Sequence, residues 1–211
     1  MKKLLVIEDR DNHWDDAKNF FSQPLPIEFE MLHATTLETA LELLPKADWV
    51  MSDIFFPTKT GNAEKTNCKQ VVVECLKSGK PIVLITSTHH HGTKTEPVNK
   101  WARKLHVEIF DKESLLPGSR DLENEAEHKP WKDAFVGLMY LVTGLKLGLI
   151  EVHSHGYEAE GGQLSFLGSD IWRYFDSKAR RDIIDDPEGY HEKNKKAQKM
   201  IFTELDKNGF G

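Results

Sequence analysis

The 211-residue sequence predicts an α/β fold built on a doubly wound, five-stranded parallel sheet. Short apolar runs without helical periodicity alternate with amphipathic stretches, which is the order that repeated βα units produce. The runs are apolar throughout, as expected for parallel strands that helices cover on both faces. Because the alternation ends near residue 150, we predict a sheet domain over residues 1–150. Residues 151–211 are predicted to be a C-terminal extension, mostly loop and helix, that packs on the sheet domain or on a partner.

Each strand is predicted from a short apolar run. The clearest strands are residues 4–7, 49–51, 82–85 and 107–110, and residues 29–32 form a weaker one after a proline-rich turn. Apolar residues at helical spacing predict helices over residues 14–21, 37–44, 68–76 and 98–105. A last helix of the sheet domain is predicted from Pro130, which suits a first helical position, to Leu145.

The composition excludes several classes of protein. The net charge is -6 and the pI is near 5.9, so the chain lacks the basic surplus that nucleic-acid binding requires. The apolar run at residues 4–7 is too short for a signal peptide or a membrane span. Cys68 and Cys75 are predicted to be reduced core thiols. We therefore expect a cytoplasmic protein with neither a membrane partner nor a nucleic-acid partner.

Polar side chains that could bind a ligand or take part in a reaction follow four of the predicted strands. Glu8 and Asp9 follow the first strand, Asp53 follows the third, Thr86 follows the fourth and Lys112 follows the fifth. In an open parallel sheet, functional groups collect at the carboxyl ends of the strands. If the strand order is 2-1-3-4-5, the first and third strands are neighbours. The three acids are then expected to lie together.

Three neighbouring carboxylates repel one another and favour a cation between them. Mg²⁺ fits this set, because it takes oxygen ligands and binds through one or two carboxylates and several waters. We expect Asp9, Asp53 and the backbone carbonyl of Phe55 to bind it directly and Glu8 to act through water. Asp53 would then attack a phosphorus atom and carry the phosphoryl group, with Lys112 holding the phosphoryl oxygens. Thr86 is expected to donate its hydroxyl to one of those oxygens.

These motifs have a counterpart in a known family. They are Glu8-Asp9, the D-x3-P-x3-G spacing of Asp53, Pro57 and Gly61, Thr86 at the end of "PIVLIT", and Lys112 after the fifth strand. In this order the sequence resembles the receiver domain of two-component response regulators, over about residues 1–150. The resemblance implies a flavodoxin-like fold, Mg²⁺ dependence, and phosphoryl transfer to Asp53 from a histidine kinase or phosphotransfer protein. It also implies a switch that signals through a protein contact, with no enzymatic activity beyond self-phosphorylation and self-dephosphorylation, and it allows a homodimer.

The sequence departs from the receiver pattern at two positions. Receivers usually carry an aromatic residue three positions before the lysine and a proline directly after it, whereas Ile109 and Glu113 occupy these places here. Two alternatives therefore stay open. One is a receiver-like scaffold that is never phosphorylated. The other is a haloacid-dehalogenase-like phosphatase that would use Asp9 and Asp11, although Asn12 follows where that family has a glycine.

Overall fold

The sheet at the centre of the molecule has five parallel strands, in agreement with the predicted α/β class. The structure is a computed structural model that describes residues 1–88, 92–111, 129–159, 162–163 and 192–210. The sheet strands are β1 (Lys2–Ile7), β2 (Phe29–Ala34), β3 (Trp49–Asp53), β6 (Ile82–Ile85) and β7 (Ile109–Phe110). They lie in the order β2-β1-β3-β6-β7, and every neighbouring pair is parallel.

Two smaller antiparallel units complete the described strands. The first is a hairpin of β4 (Phe56–Pro57) and β5 (Glu64–Lys65), which follows β3. The second is a three-stranded sheet of β8 (Ile150–His153), β9 (Gly156–Ala159) and β10 (Gly162–Gln163). The sequence patterns did not predict the β4–β5 hairpin, because a strand of two residues carries too little alternation to detect.

Six α-helices lie in the described residues. They are α1 (Asp11–Phe21), α2 (Leu37–Leu43), α3 (Cys68–Lys77), α4 (Glu96–Lys104), α5 (Trp131–Lys146) and α6 (Glu192–Lys207). Local chemistry explains two of the starts. The Thr36 hydroxyl accepts a hydrogen bond from the Thr39 N–H at 3.2 Å and caps α2, and Pro97 occupies the first turn of α4. None of these helices is both long and apolar enough to cross a membrane.

The core lies on both faces of the sheet. Leu4, Leu5, Val6 and Ile7 of β1 are all fully buried. Since successive side chains of a strand point to opposite faces, helices must cover both sides. The strand predicted at residues 107–110 is shorter than expected, because only Ile109 and Phe110 pair with β6. Conversely, β3 extends two residues beyond its predicted end, and it thereby ends on Asp53.

The described part of the C-terminal extension packs against the sheet domain. The buried Tyr157 hydroxyl of β9 accepts a hydrogen bond from the Ile82 N–H at 3.0 Å and donates one to the Lys80 carbonyl at 2.7 Å. The aromatic ring of Phe202 on α6 lies 5.1 Å from that of Tyr140 on α5. These contacts fix the hairpin at the start of β6 and fix α6 along α5.

Candidate functional site

Three acidic side chains meet at the carboxyl ends of β1 and β3. Glu8 and Asp9 directly follow β1, Asp53 ends β3, and the two strands pair side by side. Each acid offers a carboxylate oxygen that lies within 4.8 Å of the others. The sheet topology therefore gathers at one point residues that are more than forty positions apart in the sequence.

Asp53 is held at both carboxylate oxygens. Its Oδ1 accepts a hydrogen bond from the Ile54 N–H at 2.7 Å, and its Oδ2 lies 2.9 Å from Nζ of Lys129. Burial raises the pKa of Asp53 to about 6; the negative charge of Glu8 adds to the rise, and Lys129 opposes it. At neutral pH the carboxylate is therefore mostly ionised, and it remains 7% exposed.

Glu8 is the most deeply buried of the three acids. Its Oε2 pairs with Nζ of Lys129, while its Oε1 accepts the Arg10 N–H at 3.2 Å and lies 3.4 Å from Nδ1 of His13. Burial raises the pKa of Glu8, but His13 and Lys129 outweigh burial and leave the pKa below its usual value. Both oxygens of Glu8 are therefore engaged by groups of the protein itself.

Lys129 is the residue of this site that sequence reasoning missed. It lies just before α5 and its side chain is almost fully buried between Glu8 and Asp53. Burial lowers the pKa of Lys129, but the charges of Asp53 and Glu8 outweigh burial and raise it. The ammonium is therefore charged at neutral pH and neutralises part of the acidic cluster.

A signal for Lys129 was present in the sequence. Receivers usually carry a proline directly after their lysine, and Lys129 is followed by Pro130, whereas Lys112 is followed by Glu113. Lys112 was predicted because it lies close to the fifth strand in the sequence. That residue lies outside the described part of the chain, so its predicted contact with the phosphoryl oxygens stays a prediction.

Asp9 provides the test of whether a metal fits this site. Its Oδ1 is buried and has no hydrogen-bond partner among the described residues. Burial raises the pKa of Asp9, and the charges of Glu64 and Glu8 add to the rise. Among the described residues, the three carboxylates and the ammonium of Lys129 leave about two negative charges. An unpartnered carboxylate oxygen and this charge balance both fit a hard divalent cation such as Mg²⁺.

Thr86 and Phe55 lie beside the acids. Thr86 directly follows β6, whose residue Ile85 pairs with Asp53, and Thr86 is buried. Its hydroxyl lies 3.0 Å from that of Thr88, so it contacts its own loop. Phe55 is partly buried in the loop between β3 and β4.

The loop after Asp53 is shaped by the two remaining motif residues. Pro57 lies in β4 and pairs with Glu64 of β5. Gly61 lies in the connection between these strands with a φ of 83°, a backbone conformation that glycine adopts without strain. The D-x3-P-x3-G spacing therefore corresponds to a hairpin that folds back beside the acids.

No protein-family model matches the chain, and no curated protein matches it. The geometry and charge of the site are therefore the evidence for its function.

Proposed function

We propose that this chain is a receiver-like phosphoacceptor on a flavodoxin-like, doubly wound sheet. Asp53 would take a phosphoryl group from the phosphohistidine of a histidine kinase or phosphotransfer protein, and the phosphorylated chain would signal through a protein contact. The observation that carries the proposal is the buried Lys129 ammonium between Glu8 and Asp53, next to the unpartnered oxygen of Asp9.

The chemistry needs an ionised nucleophile and a means of spreading charge. A carboxylate oxygen of Asp53 attacks phosphorus, and the bond from phosphorus to the donor nitrogen breaks. The electron pair leaves with the imidazole of the donor, and an acyl phosphate remains on Asp53. The pKa of Asp53, about 6, leaves it mostly ionised at neutral pH, so no general base is required.

Lys129 supplies the positive charge for the phosphoryl oxygens in this proposal. Its Nζ lies 2.9 Å from Oδ2 of Asp53, so it is next to the position that the transferred group would take. A fixed charge in a buried site stabilises developing negative charge more than the same charge in water would. Thr86, at the end of the adjacent strand, is proposed to donate its hydroxyl to a phosphoryl oxygen after leaving Thr88.

Mg²⁺ is the cofactor that the donor set supports. Asp9 and Asp53 would hold it, together with the backbone carbonyl of Phe55. Glu8 would act only through water. When bound, the ion would neutralise charge on the phosphoryl oxygens.

The test is the intact mass of the protein after incubation with Mg²⁺ and acetyl phosphate. The wild type is expected to gain one phosphoryl group, and Asp53→Asn is expected to gain none. Lys129→Met is expected to lose at least 90% of the initial rate. If the initial rate of phosphorylation falls only in Lys112→Met, Lys112 is the cation that holds the phosphoryl oxygens. A folded wild type that gains no phosphoryl group from either acetyl phosphate or phosphohistidine donors would instead support the unphosphorylated scaffold.

A further inference from the structure

A second cation lies on the solvent side of the acidic site. Arg10 directly follows Asp9, and its backbone N–H binds Glu8. Unlike the buried Lys129, the Arg10 side chain is 53% exposed, and its guanidinium donates a hydrogen bond to Oε1 of Glu64 at 3.2 Å. Arg10 therefore connects the loop after β1 to the hairpin that follows Asp53.

The backbone that carries Glu64 is fixed. Glu64 lies in β5, which pairs with β4, and β4 begins three residues after Asp53. The side chain of Asn67 donates a hydrogen bond to the Phe56 carbonyl at 2.7 Å, and the Thr58 carbonyl accepts the Glu38 N–H at 3.2 Å. The hairpin is thus tied to the starts of α2 and α3, while the carboxylate of Glu64 remains at the surface.

Three nearby carboxylates act on the charge of Arg10. Burial lowers the pKa of Arg10, but Glu64 raises it through a hydrogen bond and its charge, and the charges of Asp53 and Asp9 raise it further. The guanidinium is therefore attracted both by Glu64 and by the two acids of the site. Because exposed ion pairs contribute little to stability, exchanging Glu64 for another anion costs little.

Phosphorylation would add one negative charge to the site. With Asp53 as a carboxylate, the three acids are balanced by Lys129 and one divalent cation. A phosphoryl group replaces the single charge of Asp53 with about two. Counting the described residues only, one negative charge is then left uncompensated at the edge of the site next to Arg10.

We propose that Arg10 binds the phosphoryl group on Asp53 by exchanging its bond to Glu64, and that Glu64 competes with the phosphoryl group for Arg10. The planar guanidinium suits this contact, because it can give two parallel hydrogen bonds to phosphoryl oxygens. This inference rests on the proposed function and adds a residue to the same site. Glu64 would therefore weaken the binding of the phosphoryl group.

The test compares two variants of the same ion pair. The measurement is the dissociation constant for beryllofluoride, a phosphoryl mimic, in the presence of Mg²⁺, followed by ¹⁹F NMR. Arg10→Gln is expected to weaken binding by about tenfold, because a charge-assisted contact is lost. Glu64→Gln is expected to tighten binding by roughly threefold, because Arg10 no longer has a charged competitor. Arg10→Lys is expected to recover part of the affinity.

The opposite signs separate this role from a structural one. If the pair only held the hairpin in place, both variants would weaken binding together, and that result would overturn the inference. Wild-type affinity in Arg10→Gln would overturn it as well. Both results require a wild type that binds beryllofluoride and becomes phosphorylated. A folded wild type that does neither would overturn the proposed function and the inference with it.

Discussion

At the scale of single residues, Lys129 controls the electrostatics of the site. It is one ammonium between two buried carboxylates, and it keeps both ionised. Without it, Glu8 and Asp53 would face each other with no positive charge between them. Breaking a buried ion pair by removing one partner leaves an uncompensated charge, which is strongly destabilising.

Lys129→Met is therefore expected to lower the free energy of unfolding by about 3–5 kcal/mol. Denaturant unfolding at pH 7 measures the change. The double variant Lys129→Met/Glu8→Gln is expected to recover part of the lost stability, because it removes one of the two carboxylates that Lys129 no longer pairs with. A single variant as stable as the wild type would contradict the buried ion pair.

Asp133, in the first turn of α5, gives a prediction about pH. It is buried, its Oδ1 has no partner among the described residues, and burial raises its pKa to about 7, with Lys132 opposing the rise. A raised carboxyl pKa means that the folded state prefers the proton. Stability is therefore expected to increase as the pH falls from 8 towards 5, since the folded state takes up a proton that the unfolded state does not yet bind.

Asp133→Asn is expected to remove the part of this dependence that Asp133 contributes. At pH 8 the variant should be more stable than the wild type by at most about 4 kcal/mol. At pH 5 this difference in stability should be much smaller. Asp15→Asn is the matched control, because Asp15 is exposed on α1. Equal effects of Asp133→Asn at both pH values would contradict a raised pKa.

At the scale of elements, the hairpin of β8 and β9 docks against the end of α4 through two adjacent residues. The Tyr157 N–H donates to the Leu105 carbonyl at 3.0 Å, and Gly156 lies directly against the same carbonyl. A Cβ atom at Gly156 would lie 2.1 Å from the Leu105 oxygen, and the Gly156 φ is 133°. The hairpin can approach α4 this closely only because residue 156 has no side chain.

Gly156→Ala is expected to destabilise the fold by about 2–4 kcal/mol, through strain and through the clash with a backbone atom. Gly148→Ala is the control, because Gly148 also has a positive φ but no described atom lies within 4 Å of its Cβ position. Gly148→Ala is expected to lower the free energy of unfolding by about 1 kcal/mol. Thermal unfolding of both variants makes the comparison, and equal losses would mean that the contact with Leu105 contributes nothing.

At the scale of the whole molecule, α5 connects the site to the C-terminal helix. Its N-terminal end follows Lys129, and its C-terminal half packs against α6 and β8. A Cβ atom at Gly144 would lie 2.2 Å from Ile150 and 3.0 Å from Ile201, so glycine allows these two elements to approach α5 together. The described part of the extension is thus continuous with the core of the sheet domain.

Phe202→Ala on α6 is expected to lower the free energy of unfolding of the whole chain by about 3–5 kcal/mol, because Phe202 is buried against Tyr140. Met200→Ala is the control on the same helix, since Met200 is 45% exposed. It is expected to change stability by less than about 0.5 kcal/mol. A separate second transition in Phe202→Ala, with the main transition unchanged, would show that α6 is not part of one cooperative unit.

Much of the fold could be predicted because buried parallel strands leave continuous apolar runs, as at residues 4–7 and 82–85. The position of Asp53 followed from the end of such a run. Lys129 could not be placed in this way, because it follows no predicted strand and only the proline after it marks its position in the sequence. The hairpin around Glu64 was missed for a related reason: its strands are held by contacts to α2 and α3 and carry no pattern of their own.

Reduction of an acyl phosphate by borohydride tests most directly whether Asp53 carries a phosphoryl group. The protein is incubated with Mg²⁺ and acetyl phosphate, reduced, digested and analysed by peptide mass spectrometry. Homoserine is expected at position 53 in the wild type and in no peptide of Asp53→Asn. Homoserine at Asp9, or at another aspartate with position 53 intact, would contradict phosphorylation of Asp53.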